Sequence, residues 1–361
     1  MNDEYYMKLA LALARKGRGY VSPNPMVGAV IVKNGRIIGR GYHRNYGGNH
    51  AEINAILNAQ EKIAGSTIYV TLEPCCHKGK TPPCVDTIIE NKIARVVIGT
   101  VDSNPLVSCQ GVSCLRDSGI EVTTNVLADE CRRLNEVFFY YMETGLPFIT
   151  LKYAQTLDGR IATASGQSQW ISSSASLKLA HRLRADHDAI LAGCGTVMKD
   201  VPELTVRLVR GRNPLRVIVD SRLRISPESK MLRSASSVPT LIATTVKKDQ
   251  LKFSNYQHSG TEIITVPPDR NGHVDLKKLF KILAQRNISS VLVEGGAQII
   301  TSVLKQNLAN RLVAVIAPKI IGKGIEAIGD LNIRKLESAK RLSVQKVMRR
   351  GEDIIIDSRF I

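Results

Sequence analysis

Two α/β domains in series is the fold this sequence predicts, and three observations carry it. The chain has 361 residues, more than one domain usually holds. Short apolar runs alternate with helix-period stretches along most of its length, the rhythm of strands covered by helices. Thr144-Gly145-Leu146-Pro147 interrupts that rhythm: Pro147 resists extending the preceding helix, and a strand-like run follows at once. Residues 1–146 and 147–361 are therefore read as separate domains joined by a very short linker.

In the first domain, Asp3 can cap an opening helix in which Met7, Ala10, Leu11 and Ala14 recur at helical spacing and Gly17 marks the end. Ser22-Pro23-Asn24-Pro25 is a stiff loop into a buried strand at 27–32, and Asn34-Gly35 turns the chain into a second strand at 37–41. A helix over 50–59, a strand over 67–72, a helix over 84–91 and a strand over 94–99 follow. Together they imply a three-layer α/β sandwich. In the second domain the clearest strands are 148–153, 189–192, 216–219, 240–243, 290–293 and 312–316. Ile299, Ile300, Val303 and Leu304 mark a helix after Glu294-Gly295-Gly296.

Composition narrows the class. Hydrophobic residues make up 43% and charged residues 23%, which excludes a disordered or fibrous chain. The net charge of +18 sits almost wholly in the second half: 16 Lys+Arg against 14 Asp+Glu before residue 147, 34 against 18 after it. Those cations are scattered, with a concentration at Arg207, Arg210, Arg212, Arg216, Arg222 and Arg224. That suits a solvated surface and small anions better than nucleic acid. No apolar run nears the ~20 residues that cross a bilayer, and Asp3 and Glu4 stand where a secretory signal wants positive charge. A cytoplasmic protein without a membrane segment is expected. Seven cysteines, an odd count, suggest buried thiols or metal ligands rather than a disulfide framework.

The sharpest local feature is His50-Ala51-Glu52 followed by Pro74-Cys75 and Pro83-Cys84. A catalytic zinc takes three nitrogen or thiolate ligands and keeps a fourth position open, and His50, Cys75 and Cys84 supply such a set. Glu52, two residues past the histidine, is free to carry a proton. The arrangement is that of zinc nucleobase deaminases, where an acidified water attacks an amino-bearing ring carbon. A closed structural site with Cys76 or His77 as fourth ligand would leave Glu52 idle.

Nucleic-acid and nucleoside deaminases space their cysteines as Pro-Cys-x-x-Cys; here eight residues intervene. The segment Thr71-Leu72-Glu73-Pro74-Cys75 and then Gly79-Lys80-Thr81-Pro82-Pro83-Cys84 resembles the deaminase domain of the bifunctional riboflavin-biosynthesis deaminase–reductases. Pro23-Asn24-Pro25, Val27-Gly28, Gly41-Tyr42-His43 and Asn104-Pro105 match the same family. The resemblance implies a cytidine-deaminase-like sandwich in which Asn24, His43, Lys80, Asp102 and Asn104 hold the substrate. Cys109 and Ser103 depart from the usual glycine and proline of that family.

In the second domain, glycines after Val293-Glu294 suit close backbone approach to a phosphate at a helix start, and the single Trp170 could stack on a flat ring or anchor the core. Lys152-Tyr153-Ala154, Asp158-Gly159-Arg160, Ser168-Gln169-Trp170-Ile171, Arg184-Ala185, Gly195-Thr196-Val197, Leu204-Thr205-Val206-Arg207, Val219-Asp220-Ser221 and Glu294-Gly295-Gly296 look like the reductase half of the same enzymes. That half is similar to dihydrofolate reductase in fold and uses NADPH. The resemblance implies that Ala154, Trp170, Thr196, Asp200, Ser221 and Gly296 contact the cofactor. It also implies that Ser168, Arg184, Leu204, Arg207 and Glu294 contact the substrate, with Arg184 and Arg207 suited to a phosphate. Val201 and Gln167 stand where relatives carry acids.

The expected protein is thus a two-step enzyme with Zn2+ and NADPH as cofactors. Its partners are phosphorylated pyrimidines, with no nucleic acid and no membrane, and it is expected to form a homo-oligomer. An editing deaminase with a basic auxiliary domain, and a zinc-stiffened binding protein without catalysis, are the competing readings.

Overall fold

The computed structural model describes residues 2–76, 82–102, 110–248, 253, 256 and 260–361. The chain divides into two compact units, Met1–Leu146 and Pro147–Ile361.

The first unit runs α1 (Asp3–Ala14), β1 (Gly28–Lys33), β2 (Arg36–Tyr42), α2 (Ala51–Leu57), β3 (Thr67–Leu72), α3 (Cys84–Glu90), β4 (Arg95–Thr100), α4 (Gln110–Asp117), β5 (Glu121–Thr123), α5 (Ala128–Leu134) and α6 (Glu136–Thr144). Its sheet order is β2-β1-β3-β4-β5. One face packs against Ala51 and Ala55 of α2, Val85 and Ile88 of α3, and Val112 and Leu115 of α4. The other packs against Met7, Ala10 and Leu11 of α1 and Cys131 and Leu134 of α5. Three layers result because β1, β3 and β4 are apolar on both faces and must be covered twice. Gly41 lets α2 lie flush on β2: a Cβ there would fall 2.3 Å from the carbonyl oxygen of Ala51 and the amide nitrogen of Ala55.

Asp3 does not cap the first helix. Asn2 does, accepting the N–H of Tyr5 at 3.1 Å. Both carboxylate oxygens of Asp3 instead accept from Arg95, at 2.8 and 3.0 Å, and the Tyr69 hydroxyl donates to one of them at 2.9 Å. A guanidinium fork outcompetes a backbone amide for a carboxylate.

The second unit runs β6 (Phe148–Thr156), β7 (Arg160–Thr163), α7 (Ser174–Asp186), β8 (Ala189–Gly193), α8 (Cys194–Asp200), β9 (Leu215–Val219), α9 (Lys230–Arg233), β10 (Thr240–Thr244) and β11 (Glu262–Thr265). It continues with α10 (Leu276–Gln285), β12 (Ser290–Val293), α11 (Ala297–Lys305), β13 (Arg311–Ala317), β14 (Gly324–Glu326), β15 (Leu342–Arg350) and β16 (Asp353–Phe360). Nine strands form one sheet in the order β11-β10-β9-β8-β12-β6-β13-β16-β15. Helices α10 and α11 cover one face through Leu279, Phe280, Leu283, Ile300 and Val303. Helices α7, α8 and α9 cover the other through Leu183, Val197, Met231 and Leu232.

The order of strands decides where a ligand can enter. From β8 the chain passes through α8 to β9 on one side. From its neighbour β12 it passes through α11 to β13, beyond β6, on the other side. Adjacent parallel strands whose connections leave in opposite directions open a crevice at their carboxyl ends.

Candidate active sites

In the first unit, β3 and two helix starts bring the metal-type ligands together. His50 is the N-cap of α2, Cys84 is the first residue of α3, and Cys75 follows β3. The His50 Nδ1 atom lies 3.2 Å from Cys84 Sγ and 3.4 Å from Cys75 Sγ. All three ligand atoms lie within 4.8 Å of one another. Tetrahedral zinc with ordinary bond lengths puts nitrogen and sulfur ligands about 3.6 Å apart, so the triangle fits the ion closely. The donor set fits as well: two sulfurs and one imidazole nitrogen.

Charge at the triangle is already arranged for a cation. Hydrogen bonding from Cys84, with help from His50, holds the Cys75 thiol down to about 4, so it is a thiolate. The thiolate of Cys75 raises Cys84 in turn, and the bond to Cys75 raises His50 against its burial. Glu52 is 3% exposed, and burial pushes its carboxyl up to about 6 while His50 pulls the other way. Its Oε2 is buried with no hydrogen-bond partner among the described residues. A lone carboxylate oxygen in that position needs a proton or a water to meet it. Cys76 faces elsewhere: its thiol donates to Gln110 Oε1 at 3.6 Å, and it is not part of the metal-type cluster among the described residues.

Asn24 and His43 lie beside the triangle. The His43 ring packs edge-on to His50 with centroids 5.5 Å apart, its Nδ1 bonds the Asn49 carbonyl at 3.0 Å, and its Nε2 meets Asn24 Nδ2 at 3.3 Å. Burial lowers the His43 pKa, so the ring is neutral and accepts from Asn24. The backbone of Asp102 donates to Glu73 Oε2 at 3.2 Å, and Val112 donates to the other oxygen at 3.1 Å. Glu73 thereby fixes the segment that carries Asp102, a role the sequence did not suggest. Its signal was a carboxylate directly before the Pro74-Cys75 pair. Lys80 and Asn104 lie outside the described residues, as do Ser103 and Cys109.

In the second unit the crevice is a cavity of about 710 Å³. Ala154, Trp170, Thr196, Asp200 and Gly296, expected to hold a cofactor, all line it, as do Ser168, Arg184, Leu204, Arg207 and Glu294, expected to hold a substrate. Ser221 does not. Its hydroxyl accepts the Val274 N–H at 3.0 Å, and its carbonyl accepts from Thr244 and Thr245, so it ties the ends of β9 and β10 together. Val201 lies on the cavity wall in a left-handed conformation after α8, and Gln167 is held by Thr163.

A dinucleotide has a fitting cradle here. Gly296 donates its N–H to Thr196 Oγ1 at 3.0 Å, joining the starts of α8 and α11. A Cβ on Gly296 would lie 2.9 Å from that hydroxyl, and Gly295 has φ +86°. The backbone therefore leaves room for phosphate oxygens that a side chain would fill. Trp170 presents a 66% exposed ring at the rim.

The cavity floor is a buried charge cluster. Arg184 donates to both oxygens of Glu294, at 3.0 and 2.7 Å, and to the Thr205 carbonyl at 3.1 Å. Its Nε–Nη2 edge is thus taken by Glu294 and one Nη1 hydrogen by Thr205, which leaves one hydrogen on each terminal nitrogen for a ligand in the cavity. Glu294 lies 110 positions away in sequence, and nothing local signals the pairing. Burial pushes Glu294 up, but Arg184 and Lys152 outweigh it and keep the carboxylate ionised. Burial lowers Lys152 against the pull of Glu294. Lys152 lines the cavity and is the member of the cluster that sequence reasoning did not single out. Arg207 is nearer the mouth, half-exposed, with Nη1 paired to Glu203 and Thr205 Oγ1.

A three-layer unit with an open His–Cys–Cys triangle, followed by an open-sheet unit with a dinucleotide-type crevice, defines a two-site enzyme of the zinc-deaminase-plus-reductase class. The comparisons with known proteins place it more closely. Residues 1–100 match the cytidine and deoxycytidylate deaminase zinc-binding region, and residues 147–356 match the RibD C-terminal domain. The riboflavin biosynthesis protein RibD of Aquifex aeolicus is 47% identical over 98% of this chain and 97% of its own length. A Thermotoga maritima diaminohydroxyphosphoribosylaminopyrimidine deaminase/5-amino-6-(5-phosphoribosylamino)uracil reductase superposes with a TM-score of 0.89 at 38% identity, covering 99% of each chain. An Acinetobacter baumannii RibD structure gives 0.90 at 33% identity with the same coverage. The chain belongs to the RibD family of riboflavin biosynthesis proteins.

Proposed function

We propose that the chain performs two successive steps of riboflavin biosynthesis, with residues 1–146 as a zinc-dependent deaminase and residues 147–361 as an NADPH-dependent reductase. The first step hydrolyses the 2-amino group from 2,5-diamino-6-(5-phosphoribosylamino)pyrimidin-4(3H)-one. The second reduces the ribosyl chain of 5-amino-6-(5-phosphoribosylamino)uracil to ribityl. The observation that carries this reading is Glu52 Oε2, a buried carboxylate oxygen without a partner among the described residues, beside a three-ligand triangle.

Zinc held by His50, Cys75 and Cys84 would supply a water acidic enough to react at neutral pH. Glu52, raised to about 6, is suited to take a proton in one half of the reaction and return it to departing ammonia in the other. Asn24, His43 and Asp102 offer amide, imidazole and carboxylate partners to the pyrimidine edge, and Lys80 and Asn104 complete the set of substrate residues in this reading. NADPH would supply the hydride in the second unit. There the Thr196–Gly296 cradle, Ala154, Trp170 and Asp200 orient the cofactor. Ser168, Arg184, Leu204 and Arg207 seat the substrate, and Glu294, with Lys152, sets fixed opposite charges against its reacting end.

The small-molecule substrates suit the cavity, and the described residues contain no helix long and apolar enough to cross a membrane. We read the protein as a cytoplasmic homo-oligomer; support for assembly is the edge strand β15, which leaves Val344 and Val347 more than half exposed. Light scattering on the purified chain tests that. For the activity, purified protein is given the diamino-pyrimidinone phosphate and NADPH, and ammonia and NADPH oxidation are followed separately. Ammonia without NADPH oxidation on the supplied uracil would sink the second half of the reading, and the converse would sink the first.

A further inference from the structure

One ring on the cavity wall of the second unit belongs neither to the Arg184–Glu294 pair nor to the cofactor cradle. His181 is on α7, one turn before Arg184, 5% exposed, and lines the cavity. Its Nδ1 is 2.9 Å from the backbone nitrogen of Arg207 and accepts that N–H. A ring nitrogen that accepts carries no proton, so in the neutral imidazole the proton is on Nε2. Nε2 has no hydrogen-bond partner among the described residues, and it is the ring's one remaining polar atom. The cavity therefore receives an N–H donor of fixed direction.

The surroundings keep that donor uncharged. Arg184 on the same helix, Arg207 in the loop after α8 and Lys152 on β6 are cations acting on the ring, and Glu294 after β12 is the opposing charge. Burial and these cations hold the imidazole down to about 4. A charged His181 would compete for Glu294 with Arg184; a neutral one leaves that pair alone and still offers a directional bond.

We propose that His181 is a positioning residue for the reductase substrate, its Nε2–H donating to an oxygen of the ribosyl phosphate arm. The ring is tied to the backbone of residue 207, whose guanidinium stands nearer the mouth with Nε and Nη2 outside its pairing to Glu203 and Thr205. A phosphate held there brings the neighbouring sugar and ester oxygens toward His181. The proposal rests on the reductase reading of this unit.

Two variants separate this role from a structural one. His181→Asn keeps an acceptor at the Nδ1 position for the Arg207 N–H but lacks the Nε2 donor. His181→Gln places a donor near the Nε2 position and gives up the Nδ1 acceptor. With the full chain, KM for the phosphoribosylaminouracil should rise about tenfold in His181→Asn, the scale of one lost hydrogen bond, while KM for NADPH and the melting temperature stay put. His181→Gln should remain within about threefold of the parent. A parent-like His181→Asn with an impaired His181→Gln would show that the ring only anchors residue 207 and overturns the proposal. Fluorescence titration of the parent with NADPH is read separately: no binding would overturn the reductase reading and this proposal together, whereas binding with an unchanged KM in His181→Asn overturns the proposal alone.

Discussion

The two sites carry their charge in opposite states. In the first unit, His50, Cys75 and Cys84 converge on one another, and Glu52 has a buried oxygen without a partner among the described residues. That donor set fits one metal cation. In the second unit two of the cavity's cations are already paired inside the protein: Arg184 on Glu294, Arg207 on Glu203. What remains open there is shaped space, a glycine cradle and a few fixed dipoles. The first site should therefore fail by loss of a single group, and the second by loss of balance or of shape.

The largest effect should come from Glu52→Ala. Removing the proton carrier should lower ammonia release by several orders of magnitude. Glu52 is not a member of the metal triangle, so zinc content should persist. The same variant should oxidise NADPH on supplied uracil at close to the parent rate. Abolished reduction in a folded Glu52→Ala protein would break the separation of the sites.

Metal content sharpens the comparison from the other side. About one zinc per chain is expected, and Cys84→Ser should lose it together with ammonia release. Cys76→Ser should retain both, because its thiol points to Gln110. Atomic absorption on the purified variants checks this, and equal zinc loss from Cys76→Ser would mean that the wrong thiolate has been assigned.

For the balanced site, Arg184→Ala leaves Glu294 buried without its main partner. Breaking such a pair from one side costs about 3 kcal/mol or more. Urea unfolding of the second unit should register that loss, and reduction should fall with it, while ammonia release continues. A variant as stable as the parent would show that Glu294 is solvated and the cavity floor wetter than its 12% and 9% side-chain exposures imply.

These differences also explain what was legible in the sequence. His50-Ala51-Glu52, Pro74-Cys75 and Pro83-Cys84 are short local signals, each at a strand end or helix start, and metal chemistry restricts which residue types can stand there. The second site is assembled from β6, α7, α8, the loop after it and the turn after β12, with partners more than a hundred positions apart. Single residues such as Lys152 and His181 carry no local pattern that marks them as cavity groups. The pairing of Arg184 with Glu294 spans 110 positions, so no local spacing announces it. Ser221 was read into the cofactor site from its place in a motif, yet its hydroxyl is spent on Val274. Strands β15 and β16 escaped notice because β15 buries no residue fully, so it lacks the alternation that marks a half-buried strand.

The smallest expected effect concerns acid stability, and it separates the units by their buried histidines. His187, in the turn between α7 and β8, is 5% exposed. Its Nδ1–H donates to the Leu183 carbonyl at 2.6 Å, and its Nε2 accepts from the Thr150 hydroxyl at 2.9 Å. Both nitrogens are used in the neutral form, and burial holds the ring down to about 4. An unfolded histidine titrates near 6.5. Below that value the unfolded chain binds a proton that the folded chain refuses, so stability falls with pH from about 6.5 until the folded ring charges near 4. Between pH 7 and pH 5 this one group should cost the second unit about 2 kcal/mol. Trp170, the chain's only tryptophan, reports on that unit, so urea titrations read by its fluorescence at the two pH values measure the loss. His187→Gln is expected to be less stable at pH 7 yet to lose about 2 kcal/mol less than the parent on going to pH 5. His181 adds a similar acid dependence that survives in that variant, so some slope should remain. Identical slopes in parent and variant would mean that His187 is charged or solvated in the folded unit, and its two hydrogen bonds would then have to be reassigned.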